Sequence, residues 1–193
     1  DSFLNYSNRQ ILAKFRQLDL ANKNVLEIGA GDSIWLPYLA KAFPDARFTG
    51  VDYSEQGCAL LAERAREEGA TVDVVLQDMF AQPSSLHGRF DVAYSLGVVE
   101  HFDDLAMVLQ AKRRYLKPGG LMFTVIPNMA GALGSLTRVW NRDVYEKHNP
   151  HDRDSFLHAH EKAGLSLVSG GYLGSSDFGV LASCFPDRRG AAW

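Results

Sequence analysis

Glu27, Gly29, Gly31 and Asp52 are the residues of this chain whose types and spacing point most directly to chemistry. The first three lie in Val25–Leu26–Glu27–Ile28–Gly29–Ala30–Gly31–Asp32–Ser33, an apolar run that breaks into a glycine turn. Asp52 closes the next apolar run, Phe48–Thr49–Gly50–Val51–Asp52. Glycines at 29 and 31 take backbone angles closed to other residues, so the turn through Ala30 can lie against a ligand with its main chain. A carboxylate at the end of the neighbouring strand accepts hydrogen bonds from both hydroxyls of a ribose. Together these make a nucleotide half-site. A dinucleotide site also wants glycine at position 34, where a pyrophosphate rests on the helix N-terminus. Position 34 is Ile. Glu27, two residues before the first glycine, would repel a pyrophosphate and suits a cationic ligand instead.

The elements that must position these groups are legible in the pattern. Ser33 to Phe43 reads as the helix after the turn, with Pro37 awkwardly at its fifth position and Ser33 able to cap it. Ser54 to Glu68 is a helix capped by Ser54 and stopped by Gly69. Ser7 to Leu18 places Ile11, Leu12, Phe15 and Leu18 on one helical face. Asp103 to Tyr115 and Asp152 to Ala163 are further helices, and Gln82 to Gly88 is a loop. Strands alternate with these helices, which implies a mostly parallel sheet with helices on both faces.

The ordered landmarks resemble the class I S-adenosylmethionine-dependent methyltransferases, of the ubiquinone-pathway O-methyltransferase type. Glu27 to Gly31 resembles their first motif, with Ser33 standing where the family has a third glycine. Val72–Asp73–Val74–Val75–Leu76–Gln77–Asp78–Met79 is similar to the third strand, whose terminal acid meets the adenine. Phe90–Asp91–Val92–Ala93–Tyr94–Ser95 runs into Leu96–Gly97–Val98–Val99–Glu100–His101–Phe102, similar to the family's fourth strand and its Glu–His pair. Leu116–Lys117–Pro118–Gly119–Gly120–Leu121 matches the turn before the fifth strand, Met122–Phe123–Thr124–Val125–Ile126. The resemblance covers about residues 20–128. It implies an α/β fold: three layers, doubly wound, a seven-stranded mostly parallel sheet with an antiparallel last strand, and a helical lid after the fifth strand. It also implies S-adenosylmethionine as cofactor and S-adenosylhomocysteine as product. Glu27 would face the cationic methionine end, Asp52 the ribose, and Tyr53, Asp78 and Met79 the adenine. Ser95 and Leu96 would flank the methionine part.

Methyl transfer from a sulfonium is an in-line displacement, which asks for alignment and a group to take any acceptor proton. His101 is a candidate base, since imidazole is the side chain suited to proton transfer near neutral pH, though a structural or capping role fits it equally. His148 is a second candidate base. Glu100, Asn128, Trp140, Tyr145 and His151 are candidates for touching the acceptor. His158 and His160 project about 200° apart on a helix and cannot ligate one ion from one face. Some relatives hold a divalent ion near the Glu–His pair, but Gly97 stands where they carry another acid, so no metal set is expected. Residues 129–150 form the lid-like insertion. Its Leu133, Leu136, Val139 and Trp140 recur at helical spacing, either to pack on the core or to meet an organic acceptor, with Gly131 and Gly134 permitting mobility. Leu165–Leu173 and Phe178–Phe185 read as an antiparallel pair of strands.

The 193 residues are 46% hydrophobic and 22% charged, with net charge −3, which describes one globular domain spanning 1–193, residues 1–19 forming an N-terminal helical segment. No global basic field invites nucleic acid. Lys112, Arg113, Arg114 and Lys117 complement a helix C-terminus. Cys58 and Cys184 show no metal spacing and read as reduced thiols of a cytoplasmic protein. No run of about 18 apolar residues is long enough for stable membrane insertion, and no signal peptide is evident. The chain begins at Asp1, so an N-terminal piece is expected to precede it. The expected partner is a small-molecule acceptor; the sequence leaves its identity, and the oligomeric state, open.

Overall fold

The computed structural model describes residues 5–173, which fall into two compact units. One comprises Leu20–Val98 and Met107–Val125. The other holds residues 5–19, 99–106 and 126–173 of those described.

The first unit is built on five strands: β1 (Asn24–Ile28), β2 (Arg47–Asp52), β3 (Asp73–Leu76), β4 (Phe90–Leu96) and β5 (Leu116–Val125). Their order is β3-β2-β1-β4-β5, and every neighbouring pair is parallel. The chain therefore winds outward from β1 in both directions. Right-handed crossovers put α2 (Trp35–Ala42) and α3 (Glu55–Glu67) on one face and α4 (Leu105–Arg113) on the other. Because all five strands run the same way, Gly29, Asp52 and Leu96 follow or close their strands at one edge, beside the switch point between β1 and β4. That edge is where ligands bind in open α/β sheets.

Burial explains why these runs form strands. Leu26, Ile28, Val51, Leu86, Phe90, Ala93, Tyr115 and Leu116 make one apolar cluster, with Val75, Met79 and Met122 packed against it. On the other face β2 must be thin. A Cβ on Gly50 would lie 2.9 Å from Ala30 Cβ and 2.9 Å from Leu36 Cδ2, so glycine lets the turn and α2 settle on the sheet. Between β4 and β5 the register jumps, Phe90 pairing with Leu116 and Val92 with Leu121. The Lys117–Gly120 segment, expected as a turn, is thus a bulge within β5.

The helix starts are refined. α2 begins at Trp35, so Pro37 is its third residue, where a missing N–H costs no helical bond. Ser33 still serves this helix, its Oγ accepting from Trp35 N (3.0 Å) and Leu36 N (3.1 Å). Ser54 caps α3 by accepting from Gly57 N at 3.0 Å, and Gly69 ends the segment at φ +64°. Lys112 is not a surface cation. It is buried, and its ammonium donates to Ser95 Oγ at 2.6 Å and Thr124 Oγ1 at 3.0 Å. Cys58 is a buried free thiol; Cys184 lies outside the described residues.

In the second unit, α1 (Tyr6–Arg16) buries Leu12 and Phe15. A short 3₁₀ turn, Val99–His101, precedes α5 (Ala132–Trp140), α6 (Arg142–Glu146) and α7 (Arg153–Lys162). α5 decides between the two expected roles of its apolar residues: Gly134 and Thr137 are buried while Leu136, Val139 and Trp140 are exposed. A Cβ on Gly134 would run into the Met129 backbone carbonyl, so this glycine permits close packing rather than mobility. The expected strand over Leu165–Leu173 does not form. Leu167, Val168 and Tyr172 are exposed there, and no ladder partner stands beside that backbone among the described residues. Its expected partner, Phe178–Phe185, lies outside them. Among the described residues no helix is long and apolar enough to cross a membrane.

Candidate functional site

The glycine turn of the first unit is held from three sides. Gly29 N (2.9 Å) and Ala30 N (3.1 Å) both donate to Val51 O, carrying the chain over the end of β2. Gly29 adopts φ +77°, and a Cβ there would approach Val98 Cγ2 to 2.5 Å. Gly31 donates its N–H to Asp52 Oδ2 at 2.9 Å, and Ser54 N donates to Oδ1 at 2.8 Å. Asp52 is therefore oriented by two backbone donors and keeps further lone pairs on both oxygens, the arrangement a ribose diol needs. Tyr53 beside it is 81% exposed, an open face for an aromatic ligand.

Glu27 sits beneath the turn, 4% exposed. Its Oε2 accepts from Ser33 Oγ (2.8 Å) and from Tyr94 Oη (2.8 Å). Burial raises its pKa to about 7, partly opposed by those two hydroxyls and aided by Asp52 nearby. A carboxyl so poised carries its charge most readily when a cation comes to it. Asp78 is exposed just past β3, its Oδ1 accepting from Phe80 N at 2.8 Å. Met79 packs against the apolar cluster, which commits at least part of the side chain expected on the adenine. Ser95 is wholly buried and bonded to Lys112, while Leu96 is half-buried at the strand end. The Ser95 hydroxyl is thus committed to Lys112.

The second unit assembles a different group. One ligating atom each of Glu100, His101 and His148 lies within 4.8 Å of the others. The two imidazole rings are 4.7 Å apart. His101 Nδ1 faces Lys147 O at 2.7 Å, and His148 Nδ1 faces Val144 O at 2.6 Å. A carbonyl only accepts, so both Nδ1 atoms carry the proton and each Nε2 is the ring nitrogen left to accept. Glu100 is buried, and its carbonyl receives Asn149 N at 2.7 Å. The Glu–His pair was legible in sequence; its union with His148 was not, since the two lie 47 positions apart on separate elements. Two nitrogens and a carboxylate are also a donor set for a divalent ion, with the Nδ1–carbonyl bonds fixing the ligand rings.

The remaining candidates stand elsewhere in that unit. Tyr145 is half-buried on α6, and its carbonyl accepts from His148 N at 3.1 Å. Asn128 is exposed before Met129, and Trp140 is 61% exposed at the end of α5. His151 is half-buried, and burial lowers its pKa against the pull of Asp152. His158 is exposed beside Glu161, while His160 Nδ1 faces Phe156 O at 2.8 Å.

A family model described as a methyltransferase domain matches residues 1–170. The chain belongs to that family. The family expected from the ordered landmarks over about residues 20–128 is the one found. Among curated proteins, the methyltransferase resembles a ubiquinone biosynthesis O-methyltransferase of Methylococcus capsulatus, 38% identical over 104 residues. That match covers 54% of this chain and 43% of the relative. The chain thus spans less than half the length of the curated relatives it matches. Among solved structures it resembles a coclaurine N-methyltransferase bound to N-methylheliamine and S-adenosylhomocysteine. There the TM-score is 0.54 at 21% identity, covering 62% of this chain and 35% of that one. It also resembles a [4+2]-cyclase, with TM-score 0.64 and 21% identity, covering 82% and 56%. These likenesses show a shared fold. The reactions named differ, so the fold does not choose among them.

Proposed function

We propose that this domain transfers a methyl group from S-adenosylmethionine to a small-molecule O, N or C acceptor by in-line displacement. The observation that carries the reading is the pairing of Asp52, oriented by Gly31 N–H and Ser54 N–H, with Glu27 buried under the same glycine turn. One carboxylate suits a ribose diol and the other a cationic ligand, and the turn between them offers main chain. Glu27, Gly29, Ala30 and Gly31 would hold the methionine end. Asp52 and Tyr53 would hold the ribose and adenine side, with Asp78 and Met79 at the base and Ser95 and Leu96 along β4. Membership of the methyltransferase family supports the same donor.

On the acceptor side, His101 and His148 are the proton-accepting pair in this reading. Their Nδ1–H groups are held by carbonyls, which leaves each Nε2 basic. Glu100, Asn128, Trp140, Tyr145 and His151 are the proposed substrate contacts. A second reading of the pair is favoured by its closeness to Glu100. Glu100, His101 and His148 would then hold a divalent ion, which would act as a Lewis acid on an acceptor hydroxyl. Dialysis against a chelator followed by Co²⁺ titration, read by its visible absorption, separates the two.

Isothermal titration with S-adenosylmethionine, joined to turnover against a panel of small phenols, amines and carbon acids, tests the main reading. Donor binding with methylated product supports it. Donor binding without turnover on any acceptor favours a non-catalytic binding module. Tight NADH binding in place of S-adenosylmethionine makes the chain a nicotinamide-dependent oxidoreductase, against the Ile at position 34.

A further inference from the structure

Ser33 follows the glycine turn, and its hydroxyl is fully engaged. Its Oγ accepts from Trp35 N and Leu36 N, the first two amides of α2. Its single proton therefore goes the other way, to Glu27 Oε2 at 2.8 Å. Tyr94 lies on β4 directly beside β1, where Glu27 pairs with Tyr94 in the sheet register. Its Oη, fully buried, spends its one proton on the same Oε2. Two donors from two different elements thus converge on one oxygen of one carboxylate. The other oxygen, Oε1, is left by this arrangement for a ligand.

We infer that Ser33 and Tyr94 are positioning residues that pin Glu27 by one oxygen, so that capture of the donor's ammonium by the other oxygen is coupled to loss of a proton from Glu27 to solvent. The inference rests on the donor reading above. The charge logic is local. Besides these two hydroxyls, the group that acts on Glu27 is Asp52 at the end of β2, a like charge that opposes ionisation. Ser33 and Tyr94 favour the ionised form, and burial opposes it most strongly. Burial holds the Tyr94 hydroxyl well above its ordinary pKa, so it remains a donor throughout neutral pH. An arriving cation replaces what water would otherwise supply to the buried charge, and the proton it displaces leaves to the buffer. Taking away either hydroxyl makes the charged form harder to reach without removing Glu27 itself.

The test is calorimetric titration of S-adenosylmethionine between pH 5.5 and 8.5, in buffers of differing ionisation enthalpy, on the wild-type chain and on S33A, S33T, Y94F and E27Q. In the wild type the affinity should fall about tenfold per pH unit below about pH 7, with proton release measured across that limb. S33A and Y94F should shift the limb to higher pH and approach wild-type affinity above it. S33T, which keeps the hydroxyl, should restore the wild-type position. The donor's own α-amino group titrates at roughly 7.7–8.0, so E27Q is the control: it keeps that titration and should lose the low-pH limb. Curves for S33A and Y94F that run parallel to wild type at every pH assign those residues a merely structural role and overturn the inference. So does wild-type binding that shows no low-pH limb, while leaving the donor reading intact. Failure of the wild type to bind S-adenosylmethionine at any pH overturns both.

Discussion

At the scale of single residues, two carboxylates under one glycine turn divide the work by environment. Asp52 is half-exposed and fixed by two backbone N–H groups. Asp52→Ala should therefore weaken S-adenosylmethionine binding by about tenfold to a hundredfold, the range expected for lost hydrogen bonds to a charged group. Asp52→Asn, which keeps an acceptor oxygen, should lose less; direct titration of the donor measures both. His101 and His148 belong to another step. Replacing either by Ala should lower kcat by about 10²–10⁴ if a proton is taken there, with the donor affinity unchanged. A turnover assay beside the same titration separates chemistry from donor binding. Loss of donor affinity in these variants would count against the assignment.

At the scale of elements, the fold depends on a few positions where a side chain has no room. Gly134 brings α5 against the Met129 carbonyl, so Gly134→Ala should cost about 1–3 kcal/mol through overpacking, despite the better helix propensity of Ala. Chemical denaturation reads this directly, and a gain in stability would show that α5 is free to shift. The sequence pattern found α5 as a helix but left open whether its apolar side packs on the core or stays free to meet an acceptor. Period alone reports which residues share a side, not which side meets the interior. Leu136, Val139 and Trp140 share the outward one. The same limit explains Lys112: a cation near a helix end reads as a surface group, yet Ser95 and Thr124 from β4 and β5 draw it inside.

At the scale of the whole molecule, Glu27 ties folding stability to pH. Its carboxyl titrates at about 7 in the folded chain, against the ordinary 4.5. Between those values the folded state holds more protons than the unfolded one, so stability falls as pH rises through that window and levels off above it. The shift amounts to a penalty on the order of 3 kcal/mol at pH 8, relative to pH 4. Glu27→Gln should therefore melt several degrees higher than wild type at pH 8, the difference closing toward pH 5, while donor binding weakens and loses its low-pH limb. Thermal melts across pH check this; a variant less stable than wild type at pH 8 would contradict it. Stability given up at a binding residue is a common trade in functional sites.

The strand–turn–helix around Gly29, the acids at 27, 52 and 78, and the parallel α/β order were all legible in sequence. Each is written in local pattern: apolar runs, glycines where the backbone needs them, and a carboxylate at a strand end. The donor-binding half of the proposed site is local in this sense, and it could be read before any coordinates. Tertiary structure alone decided the rest. It joined His148 to Glu100 and His101, turned the apolar side of α5 outward, buried Lys112, and left Leu165–Leu173 without a strand. It also brought Tyr94 and Ser33 onto one oxygen of Glu27. Those outcomes depend on which distant residues meet, and a linear pattern carries no information about a meeting that only packing and strand register determine.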